Sequence, residues 1–135
     1  MYILTRIIVF LVLALIALGV YVRLAPSYAE DWHDMPNGLE PGDGPGHAVR
    51  VVPDDGDTLE RLDGIIRDTP RTTVLAGSVE EGMVTYITRS ALWGFPDYTT
   101  VARQGGQIVL YGRLRFGKSD MGVNAKRLDG WLARL

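Results

Sequence analysis

The chain has 135 residues, a net charge of −2 and no cysteine. The absence of cysteine excludes disulfides, thiolate metal sites, iron–sulfur clusters and cysteine nucleophiles. The length allows one small domain of about 100 residues once a membrane segment is set aside.

The first predicted element is an apolar helix at the amino end. Residues 7–22 carry no charge and are flanked by Arg6 and Arg23. A bilayer requires about 20 apolar residues, and the two arginines can extend their heads to opposite interfaces while their stems stay in lipid. We therefore predict a transmembrane anchor over residues 1–23, which contacts the lipid bilayer through residues 7–22.

A cleaved signal peptide is the alternative for this segment, with Ser27 and Ala29 in the small-residue positions before the cleavage site. The flanking charges favour an amino end in the cytoplasm, because the α-amino group and Arg6 precede the apolar run. We therefore expect the rest of the chain to lie outside the cytoplasmic membrane.

Residues 24–47 are predicted to be a flexible tether, because they are rich in proline and glycine and have no apolar periodicity. Trp32 near its start is interpreted as an interfacial or docking residue. His33 and His47 are too isolated to indicate a metal site. The acidic residues concentrate between positions 30 and 63, whereas residues 64–135 are basic. This distribution is compatible with a domain folded against the tether and with a basic surface left to an anionic partner.

The domain predicted over residues 48–135 begins with a short strand over 48–53 and a helix over 58–68. Asp57 is the predicted N-cap of this helix, and Glu60 occupies the capping-box position three residues later. The apolar spacing along the helix indicates one buried stripe.

Two β-hairpins follow the helix. Runs over 72–78 and 83–90 flank a short loop that ends in Gly82, and this spacing places Leu75 opposite Ile87. A glycine pair then joins residues 97–104 to residues 107–116 in a primed two-residue turn.

The second hairpin carries the arginines of interest. Its register pairs Tyr98 with Arg113 and Val101 with Leu110. Alternation gives one face of the last strand to the core and leaves the other face polar. That second face holds Val109, Tyr111, Arg113 and Arg115.

A helix over residues 124–133 closes the domain and is expected to pack across the sheet. The predicted fold class is therefore α+β. It consists of an amino-terminal transmembrane helix and a small domain, in which an antiparallel sheet of about four strands, built from two hairpins, is flanked by two helices.

Four stretches of this domain resemble a family known as domain of unknown function 1499, found in bacteria and plant plastids. They read TYITRS, LWGFPDY, RLRFGKSD and GVN, at residues 85–90, 92–98, 113–120 and 122–124. The anchor followed by LAPS and Trp32-His33 resembles the membrane-anchored bacterial members. The resemblance implies no activity or catalytic residue. Together with the apolar run and its flanking charges, we expect a single-pass protein of the bacterial cytoplasmic membrane with its carboxy-terminal domain in the periplasm.

Nine residues are the predicted binding surface for a ligand or partner. Arginine forks suit carboxylate or phosphate groups, and an aromatic wall suits an attached apolar group. The alternative is structural: the aspartates pair with these arginines, and Ser119 or Asn124 caps the last helix. The nine residues are Arg89, Trp93, Asp97, Tyr98, Arg113, Arg115, Ser119, Asp120 and Asn124.

We expect a non-catalytic binding or assembly module that holds an envelope protein or an anionic, lipid-like ligand. A hydrolase-type enzyme of the cell envelope is the alternative. No histidine follows His47, and arginines near Asp97 and Asp120 are expected to lower the pKa of both carboxyls and leave them ionised. No cofactor or metal is predicted, and the expected compartment argues against nucleic acid as a partner.

Overall fold

The structure, a computed structural model, describes residues 1–135. One antiparallel sheet runs in the order β1-β2-β6-β5-β4-β3. The elements are α1 (Tyr2–Leu24), α2 (Ala29–Trp32), β1 (Gly42–Gly44), β2 (His47–Pro53), α3 (Thr58–Arg67), β3 (Thr72–Ser78), β4 (Met83–Arg89), β5 (Pro96–Gln104), β6 (Gln107–Leu114) and α4 (Val123–Ala133).

The predicted fold class is confirmed in its main features: an amino-terminal apolar helix, an antiparallel sheet, and helices against that sheet. The predicted number of strands is wrong, because the sheet has six strands and not about four. β2 pairs with β6 along its whole length, from His47 opposite Arg113 to Pro53 opposite Gln107. β1 is the three-residue sequence Gly-Asp-Gly, which carries neither an apolar nor a β-branched signal.

The two hairpins differ in how well their register was predicted. In β5 and β6, Tyr98 lies opposite Arg113 and Val101 opposite Leu110, as expected. In β3 and β4 the predicted register is wrong, because Thr73, and not Leu75, lies opposite Ile87. A bulge between Val74 and Ala76 shifts the pairing, and no residue type in that stretch marks it.

One face of the sheet is covered by α3 and α4, which enclose the core. α3 buries Leu59, Leu62 and Ile66, and α4 buries Leu128 and Trp131. Burial of these side chains contributes roughly 1.5–3 kcal/mol each relative to exposure.

The capping box predicted for α3 does not form. Asp57 stands at the N-cap but makes no side-chain cap hydrogen bond. Its carboxylate instead accepts a hydrogen bond from the Arg61 Nε at 3.0 Å. The i, i+4 ion pair therefore takes the place of the cap.

The other face of the sheet is covered by residues 26–34, which we call the covering segment and which include α2. This segment lies within the predicted tether of residues 24–47. Proline and glycine content indicated a chain without regular structure, but it carried no information on whether Trp32 and its neighbours find partners on the sheet.

The helix α1 is long and apolar enough to cross a membrane, with 23 residues and a mean hydropathy of 2.8 over its apolar window. Its side chains are almost all exposed. The exceptions are Gly19 and Val22 in its last turns, which are buried. The carboxyl end of α1 therefore packs against the domain, and the rest of the helix projects away from it.

Candidate functional site

The nine predicted binding residues lie in three places. Tyr98, Arg113 and Arg115 lie on the sheet face under the covering segment. Trp93 and Arg89 contact the end of α1. A cleft at the end of the sheet is lined by Arg89, Asp97, Ser119 and Asp120, and Asn124 lies just behind it.

The arginines on the sheet face are already occupied by the covering segment. The ring of Trp32 stacks on that of Tyr98 with centroids 3.8 Å apart. The Arg113 guanidinium lies over the Tyr111 ring at 4.6 Å and donates a hydrogen bond to the backbone carbonyl of Trp32. Arg115 donates to the backbone carbonyl of Pro26 at 2.8 Å. Trp32 therefore docks on the sheet of its own chain, a contact that the sequence did not predict.

Buried threonines complete the contact between the sheet and the covering segment. The Thr100 hydroxyl lies 2.8 Å from that of Thr85 and receives a hydrogen bond of 2.8 Å from Arg113. The ring nitrogen Nδ1 of His33 lies 2.8 Å from the Thr85 hydroxyl. Burial lowers the pKa of the Arg113 guanidinium from its ordinary value. This face thus holds a satisfied internal network and leaves no open arginine surface.

The loop of residues 90–95 holds the end of α1. Arg89 donates hydrogen bonds to the backbone carbonyls of Gly94 at 2.9 Å and Val22 at 3.4 Å. Arg23 donates to the carbonyl of Leu92 at 2.5 Å. The Trp93 ring lies against Gly19, where a Cβ would meet it at 3.6 Å. Two arginines therefore tie the helix to the domain.

Aromatic rings continue this contact into the cleft. Phe116 lies 6.2 Å from Tyr21 of α1 and 6.2 Å from Phe95, between ring centroids. Phe95 and Phe116 also line the cleft. One aromatic cluster therefore joins the end of the apolar helix to the cleft wall.

The cleft has a volume of about 460 Å³. The antiparallel strands bring several element ends together at one end of the sheet. These are the end of α3, the ends of β4 and β6, the start of β5 and the loop before α4. Its floor holds a polar network in which Arg127 donates to Asp97 at 3.1 Å and to the Asn124 side-chain oxygen at 2.9 Å. The Asn124 amide in turn donates to Asp120 at 2.8 Å.

The two carboxyls of this network have opposite pKa shifts. Burial raises the pKa of Asp97, and the opposing attraction of Arg127 is too small to cancel it. Burial would also raise the pKa of Asp120, but hydrogen bonds from the Asn124 side chain and from the backbone amides of Asn124 and Gly122 outweigh it and lower the pKa. The prediction of lowered values for both is therefore wrong for Asp97, because desolvation was left out.

Capping of α4 also differs from the structural alternative. Gly122 is the N-cap residue, and Asp120, and not Ser119 or Asn124, accepts the backbone N–H of Asn124 at 3.0 Å. The Ser119 hydroxyl accepts the N–H of Met121 at 3.2 Å. Asp120 and Ser119 thus shape the loop that forms one wall of the cleft.

A smaller pocket of about 310 Å³ adjoins the cleft and shares Arg71, Arg89 and Ser90 with it. Arg23 also lines this pocket, whereas no carboxylate does. Arg23, Arg71 and Arg89 form no salt bridge with any Asp or Glu side chain. We call this the arginine pocket, lined by Arg23, Arg71 and Arg89.

Arg71 is the residue of this pocket that the sequence did not reveal. Its backbone has φ of 56°, an uncommon conformation for a residue other than glycine. The Nε atom donates to the Arg89 carbonyl at 3.0 Å, while the side chain is largely exposed. From the sequence, Arg23 was named only as a flank of the apolar run and Arg127 was not singled out, because only the fold brings these residues beside Arg89 and Asp97.

The side chains of this region suit anion binding better than metal binding. No group of three or more His, Asp or Glu side chains is placed to hold a metal ion. Three arginines without acidic partners provide fixed donors for phosphate or carboxylate oxygens.

A family model described as protein of unknown function (DUF1499) matches residues 35–135. The matched residues include the whole sheet, α3 and α4, whereas α1 and the covering segment precede them. No curated protein matches the chain.

Proposed function

Since the chain belongs to the DUF1499 family of proteins of unknown function, we propose a function from its site: it is a membrane-anchored, non-catalytic module that binds an anionic amphiphile. In this proposal α1 crosses the bacterial cytoplasmic membrane once. The domain then lies in the periplasm, with the arginine pocket and the aromatic cluster at the bilayer surface.

The observation that carries the proposal is the arginine pocket at the end of α1. Arg23, Arg71 and Arg89 converge there without a carboxylate. Uncompensated positive charge that is held close together raises the free energy of the fold, and an anion relieves this repulsion. Charge-assisted hydrogen bonds to the anion contribute roughly 1.5–3 kcal/mol each.

The location of the pocket supports a ligand that has an apolar part as well as a charged group. Arg23 is in the last turn of α1, where an arginine at the end of a spanning helix reaches the interface. The aromatic cluster of Tyr21, Trp93, Phe95 and Phe116 lies beside it, and such rings favour the interfacial region of a bilayer. An amphiphile can therefore present its charged group to the domain while its apolar part stays in lipid.

The proposed orientation rests on charge and on the position of the anchor. The α-amino group and Arg6 precede the apolar run, which favours an amino end in the cytoplasm. With one spanning helix, the domain then lies on the periplasmic side.

The test is extraction of the tagged full-length chain from native membranes into polymer discs, followed by mass spectrometry of co-purified lipids and proteins. We expect an anionic amphiphile to be enriched over the bulk membrane. Arg71→Gly should lower the enrichment about tenfold, the loss expected for one charge-assisted hydrogen bond. It should keep the fold, since glycine adopts the backbone conformation of Arg71 without steric cost.

Met121→Gly is the matched control, because Met121 also has a positive φ, of 54°, but carries no charge. It should retain the enrichment. Lipid composition equal to the bulk membrane in the wild type would contradict the proposal, and a polypeptide that co-purifies in place of a lipid would favour an assembly role.

A hydrolase-type enzyme is the second candidate, favoured by the opposite pKa shifts of Asp97 and Asp120 in one cleft. Separated pKa values are typical of a general acid and a general base. Against it, Ser90 accepts the backbone N–H of Phe95 at 2.9 Å, and no histidine lines the cleft. Asp129 lies outside the cleft and pairs with Arg50 at 2.7 Å, so Asp129→Asn is the matched control. Hydrolysis of a p-nitrophenyl ester that is lost in Asp97→Asn and kept in Asp129→Asn would support this candidate.

A further inference from the structure

The arginine pocket continues into an apolar groove along α1. The groove has a volume of about 370 Å³ and is lined on one side by Val12, Leu15, Ile16 and Gly19 of the helix, and on the other by Leu92 and Trp93. Arg23 lines both the groove and the arginine pocket. The loop of residues 90–95 forms a wall of both, so the two spaces meet at Arg23.

The length of the groove matches one leaflet of a bilayer. Val12 and Arg23 are 11 positions apart on α1, which corresponds to about 16 Å of helix rise. Half of a hydrocarbon core is about 15 Å thick. A lipid chain that begins at the interface beside Arg23 therefore reaches the middle of the bilayer at Val12.

Gly19 allows the Trp93 ring, which forms one wall of the groove, to pack directly on α1. Without a side chain at this position, the helix surface is recessed next to the Trp93 ring. Leu92 at the rim is 76% exposed, and an exposed leucine beside a membrane helix has its apolar surface covered by lipid. The groove is thus apolar along its length and cationic at its upper end.

From this arrangement we infer that the ligand is a single anionic phospholipid of the outer leaflet. Its phosphate binds Arg23, Arg71 and Arg89, and one acyl chain lies in the groove against Leu15 and Ile16 of α1, with Leu92 and Trp93 on its other side. This inference rests on the proposed function and specifies its ligand class. Three arginines without an acidic partner select a net negative headgroup over a zwitterionic one, because the amine of a zwitterionic headgroup meets no carboxylate there.

The experiment uses the full-length chain in nanodiscs of phosphatidylcholine with a minor fraction of phosphatidylglycerol, and native mass spectrometry counts the retained lipids. We expect one phosphatidylglycerol to be retained by the wild type, and retention about tenfold lower in Arg71→Gly, the loss expected for one charge-assisted hydrogen bond.

The acyl chain is tested by filling the groove. Leu15→Trp places a large side chain in it, whereas Leu18→Trp makes the same change on α1 outside the groove. We expect Leu15→Trp to lower phosphatidylglycerol retention about fivefold and Leu18→Trp to leave it unchanged. Both variants keep every residue of the arginine pocket. Misfolding is detected separately, by a lowered midpoint of thermal unfolding relative to the wild type.

Competition with inorganic phosphate separates a lipid from a soluble anion. Phosphate should displace phosphatidylglycerol only weakly, since it lacks the chain contacts. If Leu15→Trp retains the lipid as the wild type does while Arg71→Gly loses it, the acyl-chain inference is wrong and the anion-binding function stands. Equal retention of both lipids by the wild type overturns both.

Discussion

Asp97 and Asp120 show how the surroundings of a single residue determine its charge. Both carboxyls line the same cleft, but Asp97 is desolvated beside one arginine, whereas Asp120 accepts several hydrogen bonds from the start of α4. Their opposite pKa shifts make opposite predictions for the dependence of stability on pH.

Asp97 has a pKa above its ordinary value of 3.8, so the folded chain holds this proton more tightly than the unfolded chain does. The free energy of unfolding contributed by Asp97 therefore falls as pH rises from 3.8 through the raised pKa. Asp120 has a lowered pKa, so its contribution is complete above 3.8 and is lost as pH falls through the lowered pKa.

Urea unfolding of the full chain in detergent micelles, measured from pH 2.5 to 6, tests this pair. The free energy of unfolding of the wild type minus that of Asp97→Asn should decrease as pH rises. For Asp120→Asn it should increase as pH rises. Slopes of the same sign for the two variants would show that the polar network is arranged differently.

At the scale of elements, the covering segment is held by one ring stack and a few hydrogen bonds. Trp32→Ala removes the stack on Tyr98 and the cation–π contact with Arg113, which lies 5.6 Å from the Trp32 ring centre. These contacts stabilise the closed segment by about 1–2 kcal/mol. We expect hydrogen exchange in residues 26–34 to become about ten times faster.

Trp32→Phe is the matched control, because it keeps an aromatic ring over Tyr98, and exchange in its covering segment should increase less. Exchange in α3 should stay unchanged in both variants, because α3 packs on the opposite face of the sheet. Faster exchange throughout the domain would mean that Trp32 stabilises the whole fold and not only this segment.

The elements predicted well from sequence are those whose signals are local. The turn at Gly105 and Gly106 determines the β5–β6 register, and the apolar spacing of Leu59, Leu62 and Ile66 marks α3. Local patterns do not reveal β1, whose Gly-Asp-Gly sequence forms a strand only because β2 offers it an edge. The bulge at Leu75 is likewise set by packing and not by residue type.

The candidate site was predictable only in part, for a related reason. Arg89 and Asp97 belong to the predicted set and do line the cleft. Arg113 of β6 and Arg115 just after it were placed on the correct face of the sheet, but the sequence did not show that the covering segment occupies them. Arg71 joins the site through a positive φ and a hairpin closure, neither of which leaves a sequence signal.

At the scale of the whole molecule, the apolar helix and the domain are joined at one point, and the arginine pocket lies at that junction. At this junction, Arg23 and Arg89 donate hydrogen bonds to backbone carbonyls that hold α1 against the domain. Trp93 packs on Gly19 beside them. The central claim is that this junction lies at the bilayer surface and binds an anionic lipid.

Quenching of Trp93 fluorescence by brominated lipids tests that claim most directly. The full chain is reconstituted in phosphatidylcholine vesicles that contain an equal fraction of brominated phosphatidylglycerol or brominated phosphatidylcholine. The Trp93 signal is taken as the difference between wild type and Trp93→Phe. The account predicts stronger quenching of Trp93 by the brominated anionic lipid, whereas equal quenching by the two lipids, or none by either, would contradict it.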